Sequence, residues 1–258
     1  MRPGVAVIGV GQIGGCLAEG LARAGHAVFP IRRGDDRGEV ARSLPEPALA
    51  LVAVAEDDLD GALLTLPAPW RSRVALVQNE LLPSVWERHN LPHPTVAVVW
   101  FERKGGGRPR SILPTFLHGP GWAILAAGLD ALRLPWKHLE DPDALRQELV
   151  RKNLYILTTN LGGLATGAAS AGELWRTHRA QAIQIASEIL TLQAAATGGA
   201  VDRVTLLRGL DEAIDADPEH AAVGRAASRR LERALEQAQE LGISVPRLQE
   251  IAAAGPDR

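Results

Sequence analysis

The chain opens on a short apolar run, Val5–Ile8, that leads directly into Gly9-Val10-Gly11-Gln12-Ile13-Gly14. Few local patterns constrain a fold more. The first glycine permits a tight turn out of a strand, and the second lets backbone approach a bulky anion. The third lets the following helix pack closely on the strand. The segment after the loop, from about Gln12 to Ala24, carries helical apolar periodicity. Gly25-His26 closes it, because glycine suits the left-handed cap. A second apolar run, Ala27–Ile31, completes a strand–helix–strand unit. The loop thus reads as a dinucleotide fingerprint. Its backbone N–H groups and the positive end of the helix face the pyrophosphate, with Gly9, Gly11, Gln12, Ile13 and Gly14 as candidate binding residues.

The end of the second strand bears on which dinucleotide fits. An NAD-preferring site carries an acidic residue about 20 residues past the loop, where it binds the ribose hydroxyls. Here the chain reads Ile31-Arg32-Arg33, with Asp35 and Asp36 just beyond. Paired guanidinium groups match a 2′-phosphate and stack on adenine. Arg32 and Arg33 therefore predict NADP, as NADPH; the alternative is a solvated charged turn.

Further strands are expected at Ala48–Val54, Arg73–Val77, Val96–Phe101 and Ser111–Leu117, with helical segments or loops between them. Alternation of this kind predicts right-handed crossovers and a mainly parallel sheet. A helix near Trp122–Arg133 follows. Beyond Asp141-Pro142-Asp143, a helix-start signal, the strand pattern stops. Helical periodicity then fills Asp143–Thr158, Arg179–Thr197, Val201–Asp215 and Ala221–Leu241, and the tail Ala252–Arg258 reads as frayed. The predicted organisation is an α/β chain with a Rossmann dinucleotide-binding domain over 1–142 and an all-helical domain over 143–258.

The bulk properties exclude several classes of function. A formal net charge of −2 offers no basic field to hold nucleic acid. Cys16 is the one cysteine, which rules out an intrachain disulfide or a cysteine metal cluster. His89 and His93 have i, i+4 spacing, but Pro92 and Pro94 oppose a helix presenting both, so no metal is expected. No apolar run reaches the roughly 18 residues of a membrane span, and the start lacks signal-peptide character. A cytoplasmic protein is expected.

Later motifs extend the pattern. Val77-Gln78-Asn79-Glu80 follows the fourth strand, and Lys152 precedes Asn160 on one predicted helix. Gly172-Glu173-Leu174 comes next, and Gly242-Ile243-Ser244-Val245-Pro246 stands near the end. In this order the motifs resemble the ketopantoate reductase family, of which the chain would be a divergent member. The family shows a QNG-like turn, a Lys…Asn helix, a GEL-like segment and a late GI-x-x-P. The resemblance implies an NADPH-dependent oxidoreductase that transfers hydride to the carbonyl of a small 2-oxoacid in a cleft between two domains, and a homodimer formed through helices. By register Lys152 matches the catalytic lysine that polarises and protonates the ketone oxygen. Asn79 and Gln78 match the turn near the nicotinamide, and Asn160 an asparagine on the lysine's helix. At about 100° per residue, Lys152 and Asn160 lie roughly 80° apart around a helix and can border one cleft. Asn160 can alternatively cap a helix end before Gly162-Gly163.

The chain also departs from the family. Ile156 stands where a second asparagine is common, and Val54-Ala55-Glu56-Asp57-Asp58 replaces a lysine-bearing turn. The family's late substrate-binding glutamate falls on Ala226 in one register and on Ser228 in another. Ser228 is the candidate carried forward. Arg225, Arg229 and Arg230 surround it, which fits either an anionic small-molecule substrate or a solvated helix face. Two alternatives stay open: an imine or 6-phosphogluconate-type dehydrogenase, and a non-catalytic NADP-binding regulatory protein. Trp175, beside the Gly172-Glu173-Leu174 segment, is a candidate cleft residue.

Overall fold

The structure is a computed structural model describing residues 2–199 and 201–255. In chain order β1 (Arg2–Ile8), α1 (Gln12–Arg23), β2 (His26–Ile31), α2 (Arg37–Ser43), β3 (Leu49–Val52), α3 (Leu59–Leu64), β4 (Val74–Leu76), α4 (Pro83–Arg88) and β5 (Thr95–Val98) alternate. They are followed by β6 (Phe101–Glu102), β7 (Arg110–Ser111), β8 (Thr115–His118), α5 (Trp122–Leu132) and β9 (Trp136–His138). The main sheet runs β2-β1-β3-β4-β5-β8-β9. Strands β1 to β5 pair in parallel, β8 is antiparallel to β5, and β9 is parallel to β8.

Parallel strands covered on both faces become apolar throughout. Accordingly Val5–Ile8 and Leu49–Val52 are buried residue by residue. Leu17 and Leu21 of α1 and Leu125 and Leu129 of α5 pack on Val5, Val7 and Leu51. The two helices meet at glycines, since a Cβ on Gly20 would lie 2.4 Å from the Gly128 carbonyl oxygen.

Two strand expectations need correction. The run 96–101 is not one strand: β5 stops at Val98, and Phe101–Glu102 pairs instead with Arg110–Ser111 in a separate ribbon. The run 111–117 likewise divides around Pro114, which has no N–H to contribute to a ladder. The Ile112 and Leu113 N–H groups both donate to the Trp100 carbonyl, at 2.7 and 3.3 Å, and turn the chain there.

The remaining elements are helical: α6 (Pro142–Thr166), α7 (Ala171–Thr177), α8 (Arg179–Ala196), α9 (Arg203–Ala216), α10 (Ala227–Leu241) and α11 (Pro246–Ala254). The chain divides into two compact units between Glu148 and Leu149, inside α6 rather than at 142. In the second unit α8 packs against α7, α10 and α11, with Ile185, Ile189, Leu190 and Leu248 fully buried. Helix α6 continues through Gly162-Gly163, so Asn160 does not cap its end. A Cβ on Gly162 would fall 2.6 Å from Leu174 Cδ2, and one on Gly163 2.6 Å from Val223 Cγ2. These glycines permit close approach, and the helix ends only at Gly167, at φ +73°. Of the expected frayed tail, residues 256–258 lie outside the described residues. Among the described residues no helix is long and apolar enough to cross a membrane.

Candidate functional site

In the first unit the carboxyl ends of β1, β2 and β3 open into a cleft of about 620 Å³. Gly9 and Gly11 form its floor, and Arg32, Arg33, Arg37, Asp57 and Asp58 are among the residues along its sides. Gly9 adopts φ +90°, and a Cβ there would lie 2.7 Å from the Ala53 carbonyl oxygen. A Cβ on Gly14 would come within 2.0 Å of the Gly9 carbonyl oxygen. Both positions are sterically closed to any side chain. Gly11 is different, because no atom stands within 4 Å of where its Cβ would be.

Gly11 is also the N-cap of α1. No side chain caps the helix there, and its first turn carries no acidic residue. The leading N–H groups and the helix dipole are thus uncontested by any built-in anion, a fit for a pyrophosphate. Gln12 is exposed at the start of α1, while Ile13 leans on the apolar core.

The arginines are not equivalent. The backbone N–H of Arg32 donates to Asp35 Oδ2 at 2.7 Å, a contact that leaves its guanidinium uninvolved. Arg33 Nη2 pairs with Asp58 Oδ2 at 2.7 Å. Arg37, which the sequence reading passed over, begins α2 and donates through Nη1 to the Ala62 carbonyl at 2.9 Å and to the Thr65 hydroxyl. A guanidinium has five donors, so these bonds fix Arg37 while leaving others for a ligand. The acids just beyond the two arginines have local tasks. Asp35 takes the Arg32 N–H, and Asp36 caps α2 by accepting from the Gly38 N–H at 2.8 Å.

Gln78 and Asn79 sit at the end of β4, outside the residues lining this cleft. The buried Gln78 side chain accepts from the Val77 N–H at 3.1 Å and donates to the Val52 carbonyl at 2.8 Å. It ties β4 to the neighbouring β3 and so shapes the strand ends; Asn79 is half-buried.

In the second unit α6 carries a run of buried polar groups. Lys152 is only 8% exposed, and its Nζ lies 5.8 Å from the centroid of the buried Tyr155 ring. That distance is within cation–π range. The Tyr155 ring lies 6.2 Å from that of His220, whose Nδ1 is 3.6 Å from Asp217 Oδ2. Two turns further on, Asn160 Nδ2 donates to the Ala222 carbonyl at 3.1 Å, and Asn160 Oδ1 accepts from Arg230 Nη1 at 2.9 Å. Gly224 closes over this pair, with its Cβ position 3.0 Å from Asn160 Oδ1.

Arg230 is therefore buried beside Asn160, whereas Arg229 lies outward and pairs with Glu232 at 2.8 Å. Ser228 is exposed on another side of α10. It borders an apolar cleft of about 180 Å³ with Leu164, Leu231 and Ile251, apart from Lys152 and Asn160. Gly172-Glu173-Leu174 forms the first turn of α7. Ser170 Oγ accepts from the Glu173 N–H at 3.2 Å, and Glu173 Oε2 accepts from the Ala169 N–H at 2.8 Å. The Ser-x-x-Glu spacing of a capping box signals this role in the sequence. Trp175 is buried, and its Nε1 donates to Asp211 Oδ1 at 2.6 Å, which pins α7 to α9.

No protein-family model matches the chain, and no curated protein matches it in sequence. Solved structures do match. A ketopantoate reductase from Ralstonia eutropha aligns at TM-score 0.68 and 21% identity, over 97% of this chain and 96% of its own. D-mandelate dehydrogenase, in a ternary structure with NADH and anilino(oxo)acetate, aligns at TM-score 0.68 and 16% identity over 98% of each chain. A dimeric ketopantoate reductase from Staphylococcus aureus aligns at TM-score 0.65 and 15% identity, over 97% and 96%. Carried by these full-length likenesses, the chain has the fold of the ketopantoate reductase structures: an α/β unit with a mainly parallel sheet followed by a helical one.

Proposed function

We propose that this protein is an NADPH-dependent oxidoreductase of the ketopantoate reductase type, acting on the carbonyl of a small 2-oxoacid. The observation that carries the reading is the cleft in which the open Gly11 and the uncapped start of α1 are joined by Arg32, Arg33 and Arg37. The backbone N–H groups of α1 bind the pyrophosphate, and Gly9 and Gly14 hold the turn that aims them. The arginines bind the 2′-phosphate. Gln78 keeps the ends of β3 and β4 in register beneath the cofactor, and Asn79 stands at the nicotinamide end.

When bound, the nicotinamide supplies the hydride. Lys152 donates a proton to the carbonyl oxygen and offsets the charge that grows there. Such stabilisation is strongest where water is excluded, as around this buried ammonium. Asn160 holds Arg230 and the Ala222 carbonyl in place, and Arg230 is the cation assigned to a substrate carboxylate. Ser228, at a separate apolar cleft on another side of α10, has no part in this reading. Ketopantoate is a 2-oxoacid and mandelate a 2-hydroxyacid, the oxidised and reduced members of one type of couple, which supports this substrate class. The dimeric neighbour supports a homodimer. A cytoplasmic location fits the reaction.

The test is a titration with NADPH and NADH followed by a panel of 2-oxoacids. NADPH is expected to bind more tightly, Arg32→Ala to weaken it selectively, and Lys152→Ala to lower kcat by about 10²–10⁴-fold. Equal binding of both nucleotides, untouched by Arg32→Ala, refutes the cofactor assignment. Tight NADPH binding with no turnover of any oxoacid, imine or aldehyde favours the regulatory protein instead.

A further inference from the structure

We propose that Asp58 is an internal rival of the cofactor's 2′-phosphate: by pairing with Arg33 it sets how sharply NADPH is preferred over NADH. The inference rests on the NADPH reading above. Arg33 leaves the end of β2 and Asp58 precedes α3, and both line the nucleotide cleft. Their side chains meet at 2.7 Å while 88% and 48% exposed. A carboxylate and a phosphate present similar oxygens to a guanidinium fork, so one arginine edge cannot serve both fully.

The neighbouring arginines sharpen the contrast. The two partners of Arg37 are a carbonyl and a hydroxyl, which accept hydrogens without neutralising its charge. Arg32 pairs with Asp35 through its backbone N–H, and neither guanidinium has a carboxylate partner among the described residues. Arg37 and Arg32 therefore remain full cations at the cleft, whereas Arg33 is charge-matched before any ligand arrives. NADPH brings a dianion that draws Arg33 away from Asp58, so its binding includes the loss of that pair. NADH brings only ribose hydroxyls and leaves the pair intact. Because the pair is exposed, its effect is modest and tunable, worth about 1.5- to 5-fold in an equilibrium. Asp58 makes no capping bond to α3, so replacing it leaves the helix start unchanged.

The experiment is a set of fluorescence titrations with NADPH and with NADH. They use the wild-type chain, Asp58→Asn, Asp58→Ala, Arg33→Ala and the Arg33→Ala/Asp58→Asn double variant, all checked for unaltered thermal unfolding. Both Asp58 variants are expected to bind NADPH about 2- to 5-fold more tightly, with NADH unchanged. The gain vanishes in the Arg33→Ala background and shrinks as salt rises. A gain that persists without Arg33 means plain repulsion between Asp58 and the phosphate, and overturns the proposal. So does an equal gain for NADH, or none for NADPH. Failure of the cofactor reading shows separately, in the wild-type titrations, as NADPH binding no tighter than NADH.

Discussion

On the proposed reading, Gly14 couples the fold to cofactor binding. A methyl group there would lie 2.0 Å from the Gly9 carbonyl oxygen and 2.9 Å from Ala53 Cβ. The first distance is about 1.4 Å inside the 3.4 Å at which ordinary contact begins. The obstructing atom is backbone, so no rotamer change relieves it, and Gly14→Ala must push α1 away from β1. Overpacking of this kind costs about 1–3 kcal/mol, and a backbone obstruction belongs at the upper end. At roughly 2–4 °C per kcal/mol for a chain of this size, the midpoint of unfolding should fall by about 6–12 °C. The displaced N–H groups also lose alignment with the pyrophosphate. Each hydrogen bond to a charged group is worth about 1.5–3 kcal/mol, so NADPH affinity should drop at least about tenfold. Gly15→Ala is the control, since its methyl would stand 3.4 Å from the Val10 carbonyl oxygen and alanine favours helix by up to about 1 kcal/mol. Calorimetry and nucleotide titration of the two variants decide the matter. If Gly14→Ala unfolds and binds like Gly15→Ala, close strand–helix contact is not what the third glycine provides.

Asn160→Ala should lower stability by about 3 kcal/mol, because it removes a donor to the buried Ala222 carbonyl and an acceptor for the Arg230 guanidinium. An unfolding midpoint equal to wild type would refute the structural role given to Asn160. Asp60 titrates below its ordinary 3.8, chiefly through a hydrogen bond from His89 and secondarily through Arg88. A depressed carboxyl pKa stabilises the fold above the unfolded value and loses that contribution as pH falls through the folded one. Urea unfolding of wild type and Asp60→Asn should therefore differ at neutral pH and converge below about pH 3.8. A gap of constant size across that range would contradict the argument.

The parts of this site that were legible in the sequence are those made by backbone at short range. A glycine that must turn, or must let a strand pass, declares itself at its own position, which is why the loop at 9–14 and the strand–helix alternation could be read directly. Side chains acting across many residues declare little. Arg230 lies in a run of arginines that reads as a solvated surface. Its register told otherwise: Ala227, Leu231, Ala234 and Ala238 are the buried stripe of α10, and position 230 falls on that stripe. Gln78 was a candidate through its match to the family's QNG-like turn; the bonds its side chain makes here run to β3, a partner defined only once the sheet order is known. Arg37 lies beyond Asp35 and Asp36, past the strand end at which a cofactor-selecting residue is sought. Once Asp36 is recognised as the N-cap of α2 and Asp35 as the partner of the Arg32 amide, both acids are accounted for locally. Of the acids along the cleft, Asp58 is held to Arg33 by one exposed bond whose partners are 25 residues apart. On the proposed NADPH reading, cofactor preference depends on strand order as much as on the residues after β2, because strand order brings Asp58 beside Arg33.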